Sequence, residues 1–174
     1  MIQKPNIILV GMPGAGKSTL GVLLAKKTAR SFIDTDLIIQ EREHRTLQAI
    51  MDQEGYLSLR RIEERVLLSL DCRGHVIASG GSAVYSSKAM THLKQSGKVI
   101  FLDVPYPEIR KRVKDYKSRG IAKCPGQSFN QLFDERHSLY CRYADGLISC
   151  RSMTMERVLR LLIQVSEEME GRVH

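Results

Sequence analysis

The stretch Gly11-Met12-Pro13-Gly14-Ala15-Gly16-Lys17-Ser18 constrains this chain more than any other. It has the spacing G-x-x-x-x-G-K-S. It lies between an apolar, β-branched run, Asn6 to Val10, and a helical pattern carried by Leu20, Leu23, Leu24 and Ala25. Strand, glycine loop and helix in that order make a cradle for phosphate. The glycines let backbone N–H groups curl round the oxygens, and the helix adds the positive end of its dipole. Gly11, Gly14, Ala15, Gly16, Lys17, Ser18 and the following Thr19 are therefore the expected nucleotide-binding set. Lys17 is expected to reach the β- and γ-phosphates of ATP, and the Ser18 hydroxyl to ligate Mg²⁺. On this reading the Lys17 ammonium meets phosphate rather than a buried protein partner.

A metal near Ser18 gives meaning to the next unusual stretch, Ser31-Phe32-Ile33-Asp34-Thr35-Asp36. Two carboxylates at the end of a short hydrophobic strand need a cation or donor, because an unpaired buried charge is costly. Mg²⁺ takes oxygen ligands and keeps several waters, so one carboxylate beside Ser18 suffices, and Asp34 at the strand tip is the candidate. Asp36, two residues on, is expected to face the transferred phosphoryl group and to orient or deprotonate an attacking hydroxyl. A bland role also fits Asp36: capping the N-terminus of the helix that starts there.

Beyond these, the chain alternates strands and helices. "HVIAS" at 75–79, "KVIFLDV" at 98–104 and a short "GLIS" read as strands. Thr46 reads as the cap of a short helix bearing Leu47, Ile50 and Met51, and 54–70 as a longer amphipathic helix. Residues 87–95 are helical, Pro107 suits the first position of the next helix, and a helix through Phe129, Leu132, Phe133 and Tyr140 follows. The last helix is expected from about Met153, and 119–127 is loop by its Gly and Pro content. This pattern predicts one α/β domain over 1–174, a three-layer sandwich on a parallel sheet, with ligands at the C-terminal strand ends.

The net charge of +8 asks for an anionic partner. Nucleic acid is not supported: the basic residues form no block, and with four Phe, six Tyr and no Trp there is no basic-aromatic interleaving to stack bases. No apolar run approaches the roughly 18 residues of a membrane helix, and the first residues enter a strand at once. The expectation is a cytoplasmic monomer without a signal peptide. Its four cysteines, with neither C-x-x-C spacing nor a histidine cluster, are expected to be reduced thiols.

The phosphate loop, Asp34-Thr35-Asp36, Arg60 with Glu63 in "LRRIE", Gly80-Gly81 and "ERHSLY" at 135–140, in that order and spacing, resemble the shikimate kinase family over nearly the whole chain. The resemblance implies five parallel strands, a mobile lid at about 114–127, and ATP with Mg²⁺. It implies that Asp34 serves the metal and that Asp36 holds the acceptor hydroxyl. Arg60 and Arg136 would grip the carboxylate of a small hydroxy acid, and Gly80 and Gly81 would line its pocket. Arg119 would come from the lid and act in catalysis, and Arg112 would stack on adenine. An arginine fork suits a carboxylate, although either arginine taken alone would read as a solvated helix residue.

Three positions depart from the family pattern. Ser82 stands where a third glycine is usual, Leu59 where an aromatic ring precedes the arginine, and Arg119-Gly120-Ile121 replaces Arg-Pro-Leu. Glycine at 120 is expected to loosen a backbone that proline would hold. The implied reaction is phosphorylation of a shikimate hydroxyl, with homoserine or gluconate as other acceptors of related kinases. A non-catalytic nucleotide switch is the competing class, and the chain carries no basic tail or second module to support it.

Overall fold

The run Asn6-Ile-Ile-Leu-Val10 is buried at every position, which marks an interior strand of a parallel sheet rather than a half-exposed one. The structure, a computed structural model, describes residues 4–113 and 120–171. Five strands, β1 (Asn6–Val10), β2 (Ser31–Asp34), β3 (His75–Ala78), β4 (Gly97–Asp103) and β5 (Gly146–Ser149), pair in parallel in the order β2-β3-β1-β4-β5. Ile8 pairs with Ile77 on one side and Val99 on the other, and all three side chains are fully buried. The five-stranded parallel sheet expected from the sequence is thus present.

The crossovers are α1 (Lys17–Thr28), α2 (Thr35–Glu43), α3 (Leu47–Glu54), α4 (Tyr56–Leu68), α5 (Ser87–Ser96), α6 (Tyr106–Arg112) and α7 (Phe129–Tyr143), and α8 (Met155–Gly171) follows the last strand. Helices α1 and α8 pack on each other, as do α4 and α5. Right-handed crossovers put these two pairs on opposite faces of the sheet. The strand start is also tied down by a buried polar group. Asn6 donates to Cys72 O at 2.7 Å and Ser96 Oγ at 3.1 Å, and accepts from His75 N at 2.9 Å, so no polar atom of its amide is wasted.

Where the elements differ from expectation, a local conformation explains it. The long helix expected over 54–70 begins at Tyr56, because Gly55 has φ +82° and its N–H closes α3 on Met51 O. Pro107 is the second residue of α6, after Pro105 as cap. The C-terminal helix starts at Met155 rather than near Met153, since Met153 N–H is used in a turn to Cys150 O and Ser152 has φ +52°. Helix α7 has a capping box, Ser128 with Gln131, that the hydrophobic pattern alone did not reveal. All four cysteines carry free thiols.

Candidate active site

The phosphate loop connects β1 to α1, and Gly16 caps the helix with φ +94°. No acidic residue occupies the first turn of α1, so the positive end of its dipole opens on the cleft. At Gly14, with φ +83°, a Cβ would lie 2.7 Å from Val113 Cγ2, so only glycine fits the loop against the end of α6. Arg112 reaches the same place: its Nη1 donates to Gly14 O at 3.3 Å, and Glu108 holds its Nη2 at 3.4 Å.

Lys17 corrects one expectation. Its ammonium donates to Gly11 O at 2.7 Å and Met12 O at 3.0 Å, so the side chain ties the loop to itself as well as facing the cleft. Burial pulls its pKa down to about 8, a shift opposed chiefly by the negative charge of Asp36.

The carboxylates of Asp34, the last residue of β2, and Asp36, in the first turn of α2, are held differently. Asp34 is the helix cap: its Oδ1 accepts from Asp36 N at 3.0 Å, and its Oδ2 accepts from Ser18 Oγ at 2.6 Å. The capping role considered for Asp36 therefore belongs to Asp34, which leaves the Asp36 carboxyl free of it. Burial raises the pKa of Asp36, and Lys17 opposes the rise. A Ser18 hydroxyl and an Asp34 carboxylate within hydrogen-bond reach form an all-oxygen pair, the donor type Mg²⁺ takes when phosphates and water complete its shell. Among the described residues no group of three or more His, Cys, Asp or Glu could hold a metal.

Two cavities meet at this point. A cleft of about 670 Å³ is lined by Gly14, Gly16, Ser18, Thr19 and Asp34 among others. A smaller cavity of about 70 Å³ lies behind it, lined by Glu63, Gly80, Gly81, Ser82, Ala122 and Arg136. Lys17 and Asp36 line both, together with Pro13 and Leu47. Gly80 is squeezed between two acids: a Cβ there would stand 2.2 Å from Glu63 Oε1 and 2.7 Å from Asp36 Oδ1. Its N–H is held by Thr35 Oγ1 at 3.0 Å, which ties the ends of β2 and β3 together. At Gly81 a Cβ would meet Arg136 Nη1 at 2.7 Å, and Tyr140 Oη fixes the turn by donating to Gly81 O at 2.6 Å.

Arg136 is 1% exposed, and its Nη2 donates to Ala122 O at 2.8 Å. Arg60 does not line the small cavity. It sits behind, with its guanidinium 3.4 Å from the centre of the Tyr85 ring and its Nη2 3.4 Å from the same Ala122 carbonyl. The two arginines are nonetheless neighbours, since Arg136 also lies over Tyr85, at 5.6 Å.

The acid that sequence reasoning left without a role is Glu63. It is 3% exposed, and burial together with the charge of Asp36 pushes its pKa up to about 7. A signal was present: Leu59, Glu63 and Leu67 are spaced i, i+4, i+8, so the carboxylate lies on the apolar stripe of α4.

Arg119 and the rest of 114–119 lie outside the described residues. Of the expected lid, 120–127 is described, and its first residues are seated. Gly120 N–H donates to Gln48 Oε1 at 2.8 Å, and Ile121 and Ala122 are buried. Gly120 has φ +58°, and a Cβ would fall 2.5 Å from Leu47 Cβ. Glycine here permits a tight contact in a left-handed conformation, rather than loosening the segment. Gly120→Pro, which needs φ near −65° and removes the donor to Gln48, is expected to unseat 120–122 and raise the KM for the acceptor. An unchanged KM would mean that this contact is idle in turnover.

A phosphate-loop cleft that communicates past a lysine and an aspartate with a second, enclosed cavity is the architecture of P-loop kinases that hand a phosphoryl group to a small molecule. The family model for shikimate kinase matches residues 13–167. A shikimate kinase of Vibrio cholerae is 33% identical over 171 residues, which is 97% of this chain and 98% of the relative. The solved structure of a shikimate kinase from Acinetobacter baumannii in complex with shikimate superposes with a TM-score of 0.83 at 30% identity, covering 93% of this chain and 92% of that one. The corresponding enzyme of Aquifex aeolicus gives 0.79 at 32% identity, over 95% and 98%. The chain belongs to the shikimate kinase family.

Proposed function

We propose that this protein transfers the γ-phosphoryl group of ATP to a hydroxyl of shikimate, with ATP in the large cleft and the acceptor in the small cavity. The observation that carries this reading is that Lys17 and Asp36 line both cavities, so the transferred group has a route with a cation and a proton acceptor along it. The backbone N–H groups of the loop and the open end of α1 bind the phosphates. Lys17, already among carbonyl acceptors, turns its ammonium to the β- and γ-oxygens and neutralises charge as the bond to the leaving group breaks. Mg²⁺ would be held by Ser18 and Asp34 and would supply charge neutralisation for the transfer. Asp36 orients the acceptor hydroxyl and takes its proton. Burial favours that transfer by making the carboxylate a better base.

Arg136, with Arg60 behind it, binds the acceptor carboxylate, Gly80 and Gly81 form the wall, and Arg112 flanks the adenine. Arg119 joins the moving phosphoryl group from a lid over 114–127, which closes the site against water. No helix among the described residues is long and apolar enough to cross a membrane. A cytoplasmic location and a monomeric state are part of the proposal and rest on the sequence alone.

A coupled assay of ADP release with shikimate, homoserine and gluconate side by side tests this. Turnover should depend on shikimate. Slow hydrolysis indifferent to all three would sink the kinase reading. Arg136→Ala is expected to raise the KM for shikimate about 10- to 150-fold, the loss of one charge-assisted contact of roughly 1.5–3 kcal/mol, with ATP binding nearly unchanged. Equal weakening of ATP would move this arginine to the nucleotide.

A further inference from the structure

We infer that Ser82 is the positioning residue for Glu63: its hydroxyl holds one carboxylate oxygen, so that the other faces the acceptor cavity. This rests on the reading that the small cavity takes the acceptor. Ser82 follows the Gly80-Gly81 wall and opens the 3₁₀ turn Ala83–Tyr85. Its φ of −100° places no demand for glycine, so the family's usual third glycine is not imposed by the backbone here. Its hydroxyl donates to Glu63 Oε2, and both residues are buried. Glu63 Oε1 finds no hydrogen-bond partner among the described residues, yet lies directly against Gly80 at the cavity wall.

A glutamate carboxyl turns easily about its last bond. Left alone between Asp36 on α2 and the cations Lys17 on α1 and Arg136 on α7, it would swing toward the cations and away from Asp36. One hydrogen bond from Ser82 prevents that, and presents Oε1 to a donor group of the acceptor. The same turn does a parallel service for the arginine: Tyr85 lays its ring 3.4 Å from the Arg60 guanidinium, where Leu59 supplies no ring. The 82–85 turn thus carries one departure of this chain, Ser82, and offsets another, the ring missing at Leu59.

Ser82→Ala and Ser82→Thr, each made in the wild type and in Glu63→Gln, test the inference. Ser82→Ala should raise the KM for shikimate by about tenfold, the usual scale for one lost charge-assisted hydrogen bond, and leave the KM for ATP alone. Ser82→Thr, which keeps the hydroxyl, should restore it. In the Glu63→Gln background Ser82→Ala should add nothing, because the two act as one unit. The hydrogen bond favours the charged carboxylate, so Ser82→Ala should also move the Glu63 titration from about 7 to higher pH. Carbon NMR of the Glu63 carboxyl reads that midpoint without turnover, and therefore independently of which acceptor is used. An unmoved midpoint, or equal losses in both backgrounds, overturns the inference. A wild type that ignores shikimate, together with a Ser82→Ala variant that shows the shifted midpoint, would instead count against the acceptor assignment alone.

Discussion

Asp36→Asn is expected to lower kcat by about 10²- to 10⁴-fold, the range for losing a general base, with the Mg²⁺ dependence unchanged. The carboxyl is excused from capping α2, since Asp34 accepts the Asp36 N–H, and it stands at the junction of the two cavities. Asparagine keeps the shape and loses the base. Asp34→Asn should behave oppositely. With the Ser18 contact and the metal ligand weakened, its loss should be partly recovered at raised Mg²⁺, because mass action compensates a weaker site. Titrating Mg²⁺ against kcat for both variants separates them. If Asp36→Asn is the one rescued by metal, the two roles must be exchanged.

Lys17→Ala is expected to cost about 10²- to 10³-fold in kcat, the scale for removing one preorganised cation or donor from a developing charge. The structure adds a second consequence. The ammonium bridges Gly11 O and Met12 O, so its removal frees two loop carbonyls and should weaken ATP binding as well. Stability should change with pH in a definite sense. The folded pKa of Lys17, about 8, lies below its ordinary 10.5. The unfolded chain therefore binds the extra proton between these values, and wild-type stability rises with pH across that window. Below about 8 the cost of keeping the ammonium buried is fully present, and Lys17→Ala, which lacks it, should melt closest to wild type there. Toward 10.5 the wild type should pull ahead. A stability gap independent of pH between 8 and 10.5 would mean that the lysine is not desolvated as described.

Much of this site was legible in the residues. The phosphate loop declared itself because its chemistry is contained in eight consecutive positions and confirmed by the strand and helix beside it. Asp34 and Asp36 stood out because charges do not end a hydrophobic strand without a reason. What could not be read was which of them caps α2. Whether a carboxylate caps a helix or faces a cavity depends on the local backbone conformation and on where Ser18 sits. Gly120 shows the same limit. Its composition suggested looseness, while its φ of +58° and its contact with Leu47 make it a close-packed position.

The sequence by itself determined the strand–helix alternation, the parallel sheet and the phosphate loop between β1 and α1. Those follow from periodicity and loop chemistry within short segments, where the residues that must cooperate are neighbours in the chain. Only the tertiary structure decided what surrounds the small cavity. It buried Glu63 and gave it Ser82, it brought Arg60 and Arg136 to one carbonyl at Ala122, and it laid the Tyr85 ring beside both arginines. Each of these is a contact between different elements, made when α4, α7 and the turn after β3 dock on one another. A charged helix residue reads as surface until something covers it. What covers it is a property of the whole fold.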